Sequence, residues 1–147
     1  MLPINAHAAR HFGMGVANFD DKYLHYTDKG YYDDFSMDLG LYSDFNNSHM
    51  IYLDAHLYAE LSSSLPEVTP IIYAGIGGIF VDDTDNYAHE YTADDDENNW
   101  GIRFPIGIEL MTTADISVYA ELVPTYIFSP NNEYETTATF GIRYYFY

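Results

Sequence analysis

The amino-acid sequence predicts an all-β fold, a single antiparallel up-and-down β-barrel of about eight strands. Three observations predict it. Apolar and polar residues alternate with period 2 through most of the chain. Clusters of Asp, Asn, Ser, Pro and Gly interrupt that alternation at short intervals. The length, 147 residues, suffices for one domain and not comfortably for two.

Taken in order, residues 1–8 carry Ala6-His7-Ala8, an A-x-A pattern. It reads either as the remnant of an export signal, with Ala9 near the mature start, or as an N-terminal arm. Residues 9–147 then form the barrel domain. His11–Asn18 and Tyr23–Asp28 alternate weakly. From Phe35 to Tyr42 the split is clear, with Phe35, Met37, Leu39 and Leu41 on one face and Ser36, Asp38, Gly40 and Tyr42 on the other. Met50–Leu61 divides Ile51, Leu53, Ala55, Leu57, Ala59 and Leu61 from Met50, Tyr52, Asp54, His56, Tyr58 and Glu60. A helix would mix these two sets on every face. Ile71–Val81 is more apolar and Gly-rich, but strand-like in length and β-branching. Trp100–Leu110, Ile116–Val123 and Thr137–Phe146 alternate again. Turn chemistry separates the strands at Asp20-Asp21, Asp28-Lys29-Gly30, Asn46-Asn47-Ser48, Ser62-Ser63-Ser64, Thr112-Thr113-Ala114 and Ser129-Pro130-Asn131-Asn132. Residues 82–99 have no strong pattern, and a loop of that length is usually functional or mobile.

Composition narrows the function classes. There is no Cys, which excludes disulfides, thiolate nucleophiles and zinc–thiolate sites. Five Lys and Arg against 23 Asp and Glu give a net charge of −18, which opposes binding of nucleic-acid phosphate. No apolar run approaches the ~18–20 residues of a transmembrane helix, but a barrel strand is apolar only at every second position.

A soluble barrel would alternate too, with its apolar face inward. Three features favour the reverse. The polar face is rich in Gly and Tyr and poor in Lys, with Arg103, Glu109, Glu121 and Arg143 placed to form interior ion pairs. Strands of about 9–13 residues suit a tilted membrane crossing better than the ~5–6 of globular proteins. Connections also alternate in length: Asp28–Gly30, Ser62–Glu67 and Met111–Ala114 fall on one side, and the long 82–99 segment falls on the other. An eight-stranded barrel is just filled by side chains. With Tyr42, Tyr52, Tyr58, Tyr73, Tyr119 and Tyr145 aimed inward, the lumen should be plugged.

The stretch Trp100-Gly101-Ile102-Arg103-Phe104-Pro105-Ile106-Gly107-Ile108-Glu109-Leu110 continues through Val118-Tyr119-Ala120-Glu121-Leu122-Val123-Pro124 to Gly141-Ile142-Arg143-Tyr144-Tyr145-Phe146. It resembles the small, uncharacterised outer-membrane β-barrel proteins, broadly OmpA/OmpX-like, that end in an aromatic strand. The resemblance covers most of residues 70–147. It implies a barrel fold in a bacterial outer membrane and no established activity. The aromatic end resembles the signal read by the outer-membrane insertion machinery, here extended by Tyr147.

The candidate metal site is the acidic segment. Asp82, Asp83, Asp85, Asp94, Asp95, Asp96 and Glu97, with Glu90 between them, supply the oxygen ligands Ca²⁺ requires, although EF-hand spacing is absent. A solvated loop that resists aggregation explains the same charges. Of the six His residues none forms a metal or catalytic motif, and His56 reads as a hydrogen-bonded interior residue. No His-x-Ser pattern of a lipid-modifying enzyme is present, and Gly75-Ile76-Gly77-Gly78 reads as relief of crowding in a narrow barrel rather than as a phosphate loop. The combined expectation is a non-enzymatic outer-membrane barrel with a structural, adhesive or surface-presenting role and a filled lumen. Its partners would be outer-membrane lipid, or other copies of itself, and the insertion machinery. The alternative is a self-assembling extracellular or envelope structural protein, a filament, tube or sheet, whose apolar outer face packs on other copies. A lipid A-type acylhydrolase and a soluble ligand-binding barrel rank below both.

Overall fold

The computed structural model describes residues 12–20, 23–31, 35–43, 48–83, 99–128 and 132–146. They form β1 (Phe12–Asp20), β2 (Tyr23–Tyr31), β3 (Phe35–Ser43), β4 (Ser48–Glu60), β5 (Val68–Asp83), β6 (Asn99–Arg103), β7 (Ile106–Thr112), β8 (Ile116–Ile127) and β9 (Glu133–Phe146). Each pairs antiparallel with its neighbours, and β1 pairs with β9 from Phe12↔Phe146 to Ala17↔Gly141, which closes the ring.

The nine segments make eight strands, because β6 and β7 are one strand in a single register. Both pair with β5 and both with β8, without any shift between Arg103 and Ile106. The interruption is chemical. The amide of Gly75 donates to the carbonyl of Pro105 at 2.8 Å, but proline carries no N–H to return the bond. The ladder continues past it, with the amide of Phe104 donating to the Pro124 carbonyl at 2.9 Å.

Partner-to-partner steps around the ring run from Gly15 through Thr27, Gly40, Tyr52, Ile79, Gly101 and Ile127 to Glu133. Continued in the register of β9 on β1, this path returns about ten residues further along β1, the stagger of a closed barrel whose strands tilt by roughly 35–45°.

The strand boundaries shift some expectations. β2 does not stop at Asp28. Asp28, Lys29 and Gly30, expected as a turn, belong to the strand, and the β2–β3 connection lies at residues 32–34. Three β-favouring Tyr residues frame this strand and its Lys29 finds partners inside, so pairing outweighs local turn propensity. The β7–β8 connection is a tight turn in which Asp115 adopts φ 64°, a left-handed conformation that Asp tolerates.

Burial follows parity with the polar face inside. Thr27, Lys29, Ser36, Asp38, Asp54, His56, Arg103, Glu109, Ser117, Glu121, Thr125, Thr139 and Arg143 are buried. Exposed instead are Phe12, Leu39, Leu53, Leu57, Ile76, Trp100, Ile106, Ile108, Val118, Leu122 and Phe140. This inverts a soluble protein and is the expected partition for a barrel bathed in lipid. Aromatic clusters mark both ends of the apolar band. At the turn end Phe12, Phe146 and Tyr144 pack in a row, with centroids 6.3 and 5.0 Å apart. At the loop end Trp100 stacks on Phe128 at 4.5 Å and Tyr126 meets Phe128 edge-on at 5.1 Å. In β8–β9 the Tyr126↔Tyr134 pair and the Ile116↔Tyr144 pair bound the band. At about 3.3 Å per residue and the tilt above, they stand about 25 Å apart, the height of an outer-membrane apolar belt.

Candidate functional site

The lumen is layered. Its turn end is sealed by Tyr31, Ile71, Met111 and Tyr145, with Tyr58 packed against them. Above this seal lies the first charged layer, centred on Glu109, which is fully buried. The hydroxyls of Tyr31 and Tyr145 donate to its carboxylate at 2.5 and 2.6 Å, and Ser117 donates as well. Lys29 Nζ stands 3.3 Å away and Arg143 Nη1 3.5 Å. Arg143 also bonds Asp38 at 2.6 Å, and Thr27 donates to the same carboxylate at 2.5 Å. The second layer holds Arg103, with Asp54 at 3.2 Å and Glu121 at 3.8 Å; the Tyr73 hydroxyl donates to Glu121 at 2.9 Å.

Each interior cation also lies over a tyrosine ring. Lys29 covers Tyr73, Arg103 covers Tyr52 and Arg143 covers Tyr119, all at 3.6 Å from the centroid. The rings lie flat because each faces a glycine across the ladder: Tyr52↔Gly40, Tyr73↔Gly107, Tyr119↔Gly141 and Tyr145↔Gly13. A Cβ at these glycines would come within 2.0–2.4 Å of ring atoms. Small residues therefore form slots in the wall, and rings fill the slots and carry the cations. Gly75 and Gly77 do the same for His56 and Asp54.

Arg103, Glu109, Glu121 and Arg143 all meet in this lumen, in the pairs Arg143–Glu109 and Arg103–Glu121. Sequence reasoning missed Lys29, Asp38 and Asp54. Lys29 falls in the expected Asp28-Lys29-Gly30 turn, and its complete burial adds a Lys to an interior expected to hold Arg and acids without Lys. Asp38 and Asp54 already stood on the polar face of the alternation. Only their cross-strand pairing with each other, close to the Arg side chains, was hidden.

Above Arg103 the lumen widens into a cavity of about 480 Å³ toward the loop end. Thr125, Thr137, Thr139, Tyr42 and Glu135 line one part of it, and Met50, Ile79 and Ile127 another. Together with the seal below, this makes the interior a blind cup.

Ser36 Oγ and His56 Nδ1 lie 3.4 Å apart near the turn end, both buried, and His56 Nε2 has no hydrogen-bond partner to orient the ring. Among the described residues no group of three or more His, Asp or Glu is placed to hold a metal ion. Asp85, Asp94, Asp95, Asp96 and Glu97 of the acidic segment lie outside the described residues. For Asp82 and Asp83 the structure gives only their place at the loop end of β5.

A closed antiparallel ring with a charged interior and an apolar exterior is the outer-membrane type of up-and-down barrel. Among solved structures it is similar to the N-terminal β-barrel domain of Pseudomonas aeruginosa OprF. The TM-score is 0.58 and the identity 15%, over 92% of this chain and 95% of that one. Likeness at that identity concerns the fold. No protein-family model and no curated protein matches the chain.

Proposed function

We propose that this protein is a non-enzymatic barrel of a bacterial outer membrane. Its role is structural or surface-presenting, holding the acidic segment between β5 and β6 outside the cell. The observation that carries the reading is the apolar band present on the outward face around the ring and bounded by aromatic clusters. The sealed lumen supports a scaffold rather than a diffusion pore, because Tyr31, Ile71, Met111 and Tyr145 are buried and packed together at its turn end. Packing into filaments would need apolar faces only where copies meet. Exposed Leu53, Ile76, Ile108, Val118 and Phe140 on five different strands favour lipid instead.

The test is refolding with and without detergent micelles or lipid vesicles. A β-rich species with heat-modifiable gel migration is expected only with micelles or vesicles, and vesicles carrying it should exclude small sugars as well as empty ones do. A monodisperse β-rich species in plain buffer would overturn the membrane reading. Ordered filaments formed without detergent would replace it by self-assembly.

A further inference from the structure

The blind cup above Arg103 has the make-up of a binding site. Arg103 pairs across the ladder with Thr125, and Thr125 with Glu135. All three line the cavity, so a guanidinium, a hydroxyl and a carboxylate stand side by side on β6, β8 and β9. The strands tilt, so this row climbs from Arg103 at the floor to Glu135 nearer the mouth. Two residues closer to the loop end, on the same faces of their strands, Ile79 and Ile127 flank Gly101 and form an apolar step. Met50 extends that apolar lining. Two donors of lining residues are idle. Arg103 Nε and Thr139 Oγ1 make no hydrogen bond, although Arg103 is 2% exposed and Thr139 1%. A buried donor without an acceptor is costly, and a ligand oxygen would satisfy it. The volume of about 480 Å³ lies within the ~300–1,000 Å³ of small-molecule sites, which also combine apolar walls with a few placed polar groups.

Charge selects the sign of the ligand. Arg103 faces two carboxylates, Asp54 at 3.2 Å and Glu121 at 3.8 Å, so its own charge is already matched. What it offers is a hydrogen bond rather than attraction for an anion. Glu135 adds a further negative charge, and Arg103 is the one cation among the described residues that line the cavity. The net charge of −18 draws cations toward the protein. We propose that the cup binds a small organic cation that carries an acceptor oxygen and an apolar body, of the size and shape of an amino-acid amide. Its ammonium faces Glu135. Its carbonyl oxygen accepts from Arg103 Nε and Thr139 Oγ1, and its apolar chain lies on Ile79, Ile127 and Met50. This gives the scaffold a ligand of its own and does not draw on the acidic segment between β5 and β6.

The test uses the full chain refolded in detergent micelles and checked for heat-modifiable migration, with leucinamide as the probe and empty micelles as the blank. Titration calorimetry should show saturable binding of leucinamide to the folded protein. Related compounds then remove one feature at a time. Isoamylamine keeps the ammonium and the apolar chain but lacks the carbonyl. Isocaproamide lacks the ammonium, and leucine replaces the amide by an anionic carboxylate. Each should bind about tenfold more weakly, the value of one charge-assisted hydrogen bond. Glu135→Gln should weaken leucinamide by a similar factor and leave isocaproamide unchanged. Thr139→Val should weaken leucinamide and leave isoamylamine unchanged. If Thr139→Val fails to fold, Thr137→Phe serves, because Thr137 lines the cavity at an exposed position and a ring there fills the cup and should abolish binding. No saturable binding of leucinamide beyond that of empty micelles would overturn the proposal. So would leucine bound as tightly as leucinamide, or affinities indifferent to both Glu135→Gln and Thr137→Phe.

Discussion

The two halves of the lumen hold charge in different ways. In the turn half, Glu109 collects three hydroxyl donors and two cations, and Asp38 takes Arg143 and Thr27. In the loop half, Asp54 faces Arg103 at 3.2 Å, but neither of its oxygens makes a hydrogen bond. Glu121 shares that Arg103 and adds one tyrosine hydroxyl. The turn half is closed by an apolar seal, whereas the loop half opens into the cavity lined by Thr125, Thr137 and Thr139. A buried carboxylate needs a complete set of partners where water cannot reach it, and Glu109 has one. In the loop half Arg103 lines the cavity, while Asp54 and Glu121 stay buried behind it.

The largest expected effect breaks the closed half. Glu109→Gln keeps the volume and removes the charge, leaving Lys29 and Arg143 facing each other with Asp38 as their remaining close acid. Loss of one partner from a buried ionic network costs about 3–5 kcal/mol. Denaturant unfolding in vesicles, followed by the heat-modifiable gel shift, should show the folded band lost at clearly lower denaturant than for the parent. In the loop half, Arg103→Met should cost less, about 2 kcal/mol, because Arg103 itself lines the cavity and the space its guanidinium leaves can take up water beside Asp54 and Glu121. If Arg103→Met proved as damaging as Glu109→Gln, the two halves would be equivalent and the comparison would collapse.

A subtler change sharpens the contrast between wall and filling. Gly141→Ala places a methyl group against the ring of Tyr119, with 2.4 Å to the nearest ring atom. The ring must then lift and carry Arg143 with it, because the guanidinium lies on its face. Overpacking of this kind costs about 1–2 kcal/mol. The same substitution at Gly78, which faces outward and has nothing but a backbone oxygen 4.0 Å away, should leave the unfolding midpoint unchanged. Equal effects at the two positions would mean that the slots are not what sets glycine on the inner face.

These differences also explain what the sequence could and could not reveal. Alternation from Met50 to Leu61 placed Ile51, Leu53, Ala55 and Leu57 outward and Tyr52, Asp54 and His56 inward, as observed in β4, because period 2 belongs to a single strand. The Tyr–Gly slots, the Lys29–Glu109 pair and the shared partners of Arg143 depend on register between strands distant in the chain, such as β2 and β7. Nothing local in the sequence encodes that register. Lys29 shows the failure most clearly. Its neighbours Asp28 and Gly30 are turn residues by composition, and the strand continues through them only because Lys29 finds Glu109, 80 positions later in the chain, on the far wall. Asp28 falls in the same expected turn, and the strand instead sets it between Met14 and Leu39 on the outward face.

The smallest predicted effect concerns the turns rather than the lumen. Asp115 holds φ 64° between β7 and β8, and its carbonyl accepts the amide of Tyr145 at 2.8 Å, tying the turn to β9. Thr112 Oγ1 donates to the carbonyl of Ile116 at 2.8 Å across the same turn. A left-handed residue with a Cβ is strained unless its side chain is short and polar, so Asp115→Ala should cost about 0.5–1 kcal/mol, while Asp115→Gly should be neutral or slightly stabilising. Both changes leave the Glu109 layer intact, although the turn leads directly into Ser117 and thence to that layer. A loss in Asp115→Ala as large as that of Glu109→Gln would show that the turn positions the charged layer, making the closed half depend on its rim rather than on its own partners. A small loss, confined to a modest shift in the unfolding midpoint, would place the stability of that half in the network itself.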